Sequence, residues 1–290
     1  GDEDKPRILD AFNQPCEDWL TFFCFTMFTD RDGKYQLGSL AESAFDPLAR
    51  TCRFMLTEEA HHLSVGELGM ERILRRGAQL RREAKDGDAR SLGGIDLETT
   101  QKWINHWYSY SLDLFGAEVS SNAADYFASG LKGRWRESKD YDEHTALNQY
   151  KMVPDVIDGR LVDVEVPLRN AMNELLREDY VKDCERVVRR WNKALKQEGV
   201  DFEVSLPSTR FHRRQGQYAG HHFDREGNLI DAATWEKMAP GWLPSDEDRA
   251  YVKSLMKPVQ EPGKMANWIA APKRGVGGKP VDYEYVRTDS

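Results

Sequence analysis

Apolar positions in the first third of the chain recur at helical spacing and mark out two long helices. Residues 15–45 read as one helix, with an interruption expected around Arg31–Lys34, where a polar run breaks the pattern. Asp46 and Pro47 supply a cap and a first-turn proline for a second helix, expected to run to about Arg76 and stop before Gly77. A polar loop punctuated by Gly87, Gly93 and Gly94 follows. Asp96 reads as the cap of a third helix through Phe115, and residues 118–131 read as a fourth. Residues 160–166 alternate weakly and predict a short strand. Pro167 opens a strongly helical stretch to about Gln197, ended by Gly199. Beyond Val200 the texture changes, and the runs 202–206 and 210–218 predict hairpins and irregular coil. Residues 272–280, rich in Gly, Lys and Arg, predict a loop or surface strap. The expected fold is therefore mainly α, with a helical bundle over 1–198 and an irregular, partly β region over 199–290. No internal repeat of fixed period is present.

Composition narrows the classes. Of 290 residues, 40% are hydrophobic and 11% aromatic, enough for a real core. Mean hydropathy is −0.70, and no apolar run approaches the ~20 residues of a membrane span. The greasiest stretch, 19–28, carries Thr21, Cys24 and Thr26 and reads as a buried helix; no membrane association is expected. With 41 basic and 49 acidic residues the net charge is −8, which gives no whole-chain reason to bind nucleic acid. Local basic runs (Arg75, Arg76, Arg81 and Arg82; Arg186, Arg189 and Arg190) read as solvated helix faces. The four cysteines form no Cys-x-x-Cys pair, and three of them sit among apolar neighbours, which fits a reducing, cytoplasmic setting. The opening Gly-Asp-Glu-Asp-Lys-Pro-Arg is not a secretory signal and reads as the interior of a longer chain.

Candidate chemistry concentrates in the two long helices. Glu-x-x-His occurs only at residues 58–62, in two overlapping registers. At about 100° per residue, Cys52, Met55, Leu56, Leu63, Gly66, Met70 and Ile73 share one face. Glu59 and His62 fall within that stripe, whereas Glu58 and His61 project to its edge and beyond. An unpaired charge in a core stripe costs several kcal/mol, and a metal ion is one compensation. On the first helix Asp30 lies among Trp19, Phe23, Thr26, Met27, Leu37 and Ala41, while Asp32 points the other way. Asp30, Glu59 and His62 are thus the candidate metal ligands. Two such helices are half of the four-helix di-iron pattern, in which carboxylates join Glu-x-x-His pairs. Carboxylate oxygens with imidazole nitrogen suit iron or manganese working with dioxygen.

On residues alone a second reading stands beside this one. Glu59 and His62 form a buried hydrogen-bonded pair in a non-catalytic helical module, and Asp30 is a cap or turn residue before Gly33. Another ferritin-like di-iron oxidase, or a radical-generating protein, is a third. His221 and His222 read as structural; Ser120–Asn122 interrupts a helical apolar pattern and either lines a pocket or, as interior hydroxyls usually do, satisfies neighbouring carbonyls; Lys273, Arg274 and Lys279 read as a solvated tail. No Gly-x-Gly-x-x-Gly, Walker loop or Gly-x-Ser-x-Gly elbow is present, so hydride-transfer, phosphoryl-transfer and serine-hydrolase classes lack support.

Longer segments carry a resemblance. The run from Cys16 to Asp30, the segment 53–67 around Glu-Glu-Ala-His-His, the stretch beginning Glu118-Val-Ser-Ser-Asn-Ala-Ala, and residues 167–214 resemble the oxygenase (B) components of benzoyl-CoA 2,3-epoxidases. These are ferritin-like di-iron monooxygenases, and this chain looks like their C-terminal three-fifths. The resemblance implies two non-haem iron ions, O2 as co-substrate, and insertion of one oxygen atom across the 2,3 bond of the ring of benzoyl-CoA. It also implies electrons from NADPH through a separate flavin and iron–sulfur reductase component, in aerobic benzoate degradation. By position, one Asp, Glu and His ligand set of the family falls on Asp30, Glu59 and His62. The other set, one Glu and one Glu-x-x-His, is expected upstream of Gly1.

Overall fold

The computed structural model describes residues 9–133, 149–279 and 281–286. Asp18 opens the first helix by accepting from the Thr21 amide at 2.7 Å, satisfying one of the amides that a helix start leaves unpaired. The chain then runs as α1 (Trp19–Cys24), a π-helical turn (Phe25–Thr29) and α2 (Asp30–Leu40) without a break. The expected interruption at 31–34 does not occur; the irregularity sits one turn earlier, as the π turn. The second helix, α3 (Asp46–Glu83), also outlasts its expected end at Arg76. Gly77 does not stop it. A Cβ there would stand 2.6 Å from the Ile95 carbonyl, so this glycine serves close packing rather than termination.

Residues 23, 26–27 and 33 of the first helical run meet 69, 66 and 59 of α3, numbers that run in opposite directions, so the two are antiparallel. The helix α4 (Leu97–Leu112), capped by Asp96 as expected, supplies Trp103, Ile104, Trp107, Tyr108 and Leu112 to the core. The fourth helix is shorter than expected: α5 spans Ser121–Ala128, with Ser120 as its cap rather than as a pocket residue. A hairpin follows, β1 (Tyr150–Ile157) against β2 (Arg160–Pro167), in the register Tyr150↔Pro167 to Ile157↔Arg160. Asp158 and Gly159 close it with positive φ at both positions, the two-residue turn whose twist matches the strands. The helix α6 (Met172–Gln197) ends before Gly199, which has φ +75°, as expected of that glycine.

Beyond 199 the irregular coil is present, but the hairpins expected over 202–206 and 210–218 are not. Residues 202–218 contain no ladder; the only pairing nearby is the short β3 (His222–Phe223) with β4 (Leu229–Ile230). Two unpredicted helices follow, α7 (Ala232–Trp242) and α8 (Asp246–Ser254). A parallel pair, β5 (Lys264–Ala266) with β6 (Glu284–Val286), flanks the loop at 272–279; Pro280 lies outside the described residues. The segment leading out of β5 straps onto α3: the Arg72 guanidinium donates to the Ala270 carbonyl at 2.7 Å, and Arg76 to Asn267 at 2.6 Å. Val252, Leu255, Trp268 and Ile269 join the same apolar cluster as α1, α3, α4 and α6. The fold is mainly α with only short strands, and the description ferritin-like fits it. Among the described residues no helix is long and apolar enough to cross a membrane. Cys24, Cys52 and Cys184 are buried and Cys16 is exposed, all as free thiols.

Candidate metal centre

Asp30 is the first residue of α2, and the turn before it sets its direction. Its amide donates to the Phe25 carbonyl five residues back, the wide bond of a π turn. Opposite that turn α3 carries two glycines. A Cβ on Gly66 would meet the backbone of Thr26 and Met27, and one on Gly69 would meet the ring of Phe23. Small residues here let the two helical runs touch backbone to backbone. Thr29, buried at the end of the turn, is tied to Ser111 of α4 by a hydroxyl contact of 3.0 Å.

This packing brings Asp30, Glu59 and His62 together. One ligand atom from each lies within 4.8 Å of the others. His62 Nδ1 stands 3.8 Å from Glu59 Oε2. The other carboxylate oxygen, Glu59 Oε1, is buried and has no hydrogen-bond partner. Burial raises the Asp30 carboxyl above its usual range, and burial together with the nearby Asp30 charge raises Glu59; His62 works the other way on both. Two carboxylates that repel each other, one with an orphaned oxygen and an imidazole alongside, form a donor set that a hard divalent or trivalent cation would satisfy. The residues present fit an iron ion.

The setting is wetter than periodicity suggests. The stripe on α3 is buried at Cys52 and from Leu63 onward, but Met55 is 45% exposed and the His62 side chain 51%, against 13% for Glu59. Trp19, assigned to the apolar face of the first helix, is 52% exposed. Asp30 and Glu59 are half-buried rather than enclosed, because α1 and α2 cover one side of α3 and leave the flank bearing Phe54 and Met55 open. Asp30 is not a cap before Gly33, since α2 continues to Leu40. Glu58 and His61 are exposed. Asp32 is buried outside the trio, with Gln36 donating to it at 3.3 Å; burial pushes its carboxyl up to about 7, and the Glu59 charge adds to the rise.

The layer behind the site is not evident from sequence. Arg31, fully buried, donates to the Met27 carbonyl at 3.1 Å, to Asp183 of α6 at 2.5 Å and to Glu67 of α3. Glu67 also pairs with Arg190 of α6, and Lys34 reaches Asp183 at 2.9 Å. Arg31 thereby clamps three helices beside Asp30. No local spacing signals it, because its partners lie 36 and 152 residues away.

His222, on β3, stacks on Trp235 and packs as a structural residue. Buried His106 sits against Tyr110, and burial with nearby Arg249 lowers its imidazole to about 2, so it stays neutral.

No protein-family profile matches the chain. It is similar to "Benzoyl-CoA oxygenase component B" of Aromatoleum evansii, with 52% identity over 290 residues. The alignment covers 99% of this chain and 61% of the relative, so the chain spans about three-fifths of that protein's length and resembles it over nearly all of its own.

Proposed function

We propose that this chain is part of the oxygenase component of a benzoyl-CoA 2,3-epoxidase, in which Asp30, Glu59 and His62 hold iron. The observation that carries the reading is the convergence of these three side chains around an orphaned, buried carboxylate oxygen. The 52% identity to a benzoyl-CoA oxygenase component supports the substrate class. The reaction proposed is insertion of one atom of O2 across the 2,3 bond of the ring of benzoyl-CoA, in aerobic benzoate breakdown. Electrons come from NADPH through a flavin and iron–sulfur reductase, the partner component, in the cytoplasm.

Iron, when bound, supplies the redox chemistry with dioxygen. The chain's own contribution is positional. Asp30 and Glu59 would offset an ion's charge, His62 would add an imidazole nitrogen, and Arg31 holds Asp30's helix against α3 and α6 through Glu67 and Asp183. Among the described residues no second group of this kind occurs. The ligands for a second iron are proposed to come from the part of the relative's length that this chain does not span.

Iron analysis and benzoyl-CoA-dependent O2 uptake in the complete polypeptide test the reading. Two irons per polypeptide and an epoxide product support it. An iron-free protein of intact fold points instead to a helical module with a Glu–His pair. A stable tyrosyl radical after reduction and aeration, seen by electron paramagnetic resonance, points to a radical-generating relative.

A further inference from the structure

On α6, Lys182, Arg186, Arg189, Lys193 and Lys196 recur at i, i+4, i+7, i+11 and i+14, and all five are exposed. This is one stripe, about 21 Å long at 1.5 Å per residue. From Arg186 to Gln197 the helix has five basic residues and no acidic one, in a chain whose net charge is −8. An ordinary solvated face mixes its signs, and like charges three or four residues apart cost a helix stability. The near end of the stripe is partly neutralised, Arg186 by Asp183 at 2.6 Å and Arg189 by Glu185 at 3.7 Å. Among the described residues Lys193 and Lys196 make no ion pair.

A second observation gives this surface a direction. Arg190, 43% exposed on the same helix, donates to one oxygen of the Glu67 carboxylate. Buried Arg31 donates to the other. Arg31 follows Asp30 in the chain, so two hydrogen bonds and one peptide link connect the basic surface to a candidate iron ligand. The Trp191 indole donates to the Glu67 carbonyl at 3.0 Å, packing α6 against α3 at the same point.

We propose that the basic stripe of α6 is the docking surface for the electron donor of the site, a protein presenting an acidic face, and that Arg190, Glu67 and Arg31 link that surface to the metal centre. The inference rests on the oxygenase reading above. Each encounter oxidises the donor by one electron and reduces the centre by one. Two encounters supply the two electrons that, with two protons, turn the second atom of O2 into water. A nucleic acid or an anionic membrane would meet the same charges, but neither explains a stripe wired to Asp30.

The test uses the complete, iron-loaded polypeptide and the flavin and iron–sulfur reductase. Arg189→Glu, Lys193→Glu and Lys196→Glu are combined, since none of the three belongs to the relay or the ligand set. Stopped-flow reduction by the reductase should slow about 10- to 100-fold and lose most of its salt dependence. Photoreduction by a small deazaflavin should remain as fast as in the parent. Reductase-driven reduction with unchanged rate and salt slope in the triple variant overturns the docking surface and leaves the oxygenase reading intact. A parent protein that neither reductase nor deazaflavin reduces overturns both.

Discussion

Gly66 lies against Met27 so closely that a Cβ on it would stand 2.5 Å from the Met27 amide nitrogen and 2.8 Å from the Thr26 carbonyl carbon. Three residues after Met27 the chain presents Asp30 to Glu59 and His62, so this contact sets the spacing of the candidate ligands. The variant Gly66→Ala gains helix propensity but must push α3 off the π turn. The second effect wins, and overpacking is expected to cost about 1–3 kcal/mol net. Chemical denaturation should show the loss, and iron affinity should fall with it. A variant as stable as the parent contradicts the close-approach argument.

Gly33 is the contrasting case on the facing helix. A Cβ there meets only Glu59 Oε1 at 3.6 Å and Glu59 Cδ at 3.9 Å, ordinary contacts that require nothing to move. The variant Gly33→Ala should therefore be neutral or stabilising by up to about 1 kcal/mol, the helix-propensity gain alone. Measured stability below the parent's would mean that the space beside Glu59 is smaller than these distances imply.

Arg31 is a buried cation held between two carboxylates, Asp183 and Glu67, on different helices. Truncating its charge in Arg31→Met keeps most of the volume and leaves both acids facing a gap. Removing one member of a buried ionic network costs about 3–5 kcal/mol. Calorimetric melting of the variant checks this. A change under about 1 kcal/mol, the range of surface ion pairs, would show that water replaces the guanidinium freely.

Asp248 makes a pH prediction with a definite sign. Burial alone would raise its carboxyl, but Lys102 at 2.8 Å and Arg90 at 2.6 Å hold it down to about 2. A carboxyl whose folded value lies below its unfolded value stabilises the fold above the unfolded value, and that stability fades as pH falls through the folded one. Asp248→Asn should therefore cost about 1–3 kcal/mol at pH 7. The gap between parent and variant should close as pH drops from about 4 towards 2. Urea titrations of both proteins at pH 7 and pH 3 read it, and a gap that widens in acid refutes the assignment.

The local features of this fold are written in local residues. Asp96 caps α4 and Gly199 follows the end of α6, because each acts on its own neighbours. What escapes sequence reading is tertiary. Gly77 resembles a stop signal but packs against the Ile95 carbonyl, and the π turn at 25–29 lies in close backbone contact with Gly66 of α3, a residue about forty positions away. The helix α7 hides behind an internal Pro240. By contrast, α8 carries a capping box, Ser245 with Asp248, a signal present in the sequence that would have located it. Helical periodicity is enough to select Asp30, Glu59 and His62 as a group, because antiparallel neighbours bring such stripes face to face. It does not reveal how open the site is, since which flank of α3 goes uncovered depends on where the other helices stop.

Glu59 separates the effect of the metal from the effect of the fold. Without a cation its Oε1 is buried and unpartnered, and its charge lies beside that of Asp30. An orphaned buried polar atom costs about 1–3 kcal/mol. Glu59→Gln removes the repulsion and adds a donor that can turn towards Asp30. In metal-free protein the variant should therefore be at least as stable as the parent. With iron the order reverses. A ligand that binds only the folded state adds RT ln(1 + [L]/Kd), about 2.7 kcal/mol at a hundred times Kd, and Glu59→Gln forfeits most of that gain. Melting curves of both proteins with and without Fe(II) measure the crossover, which an ordinary core hydrogen bond would not produce. Parent and variant that respond identically to iron would remove Glu59 from the ligand set, and the Asp30–Glu59–His62 assignment with it.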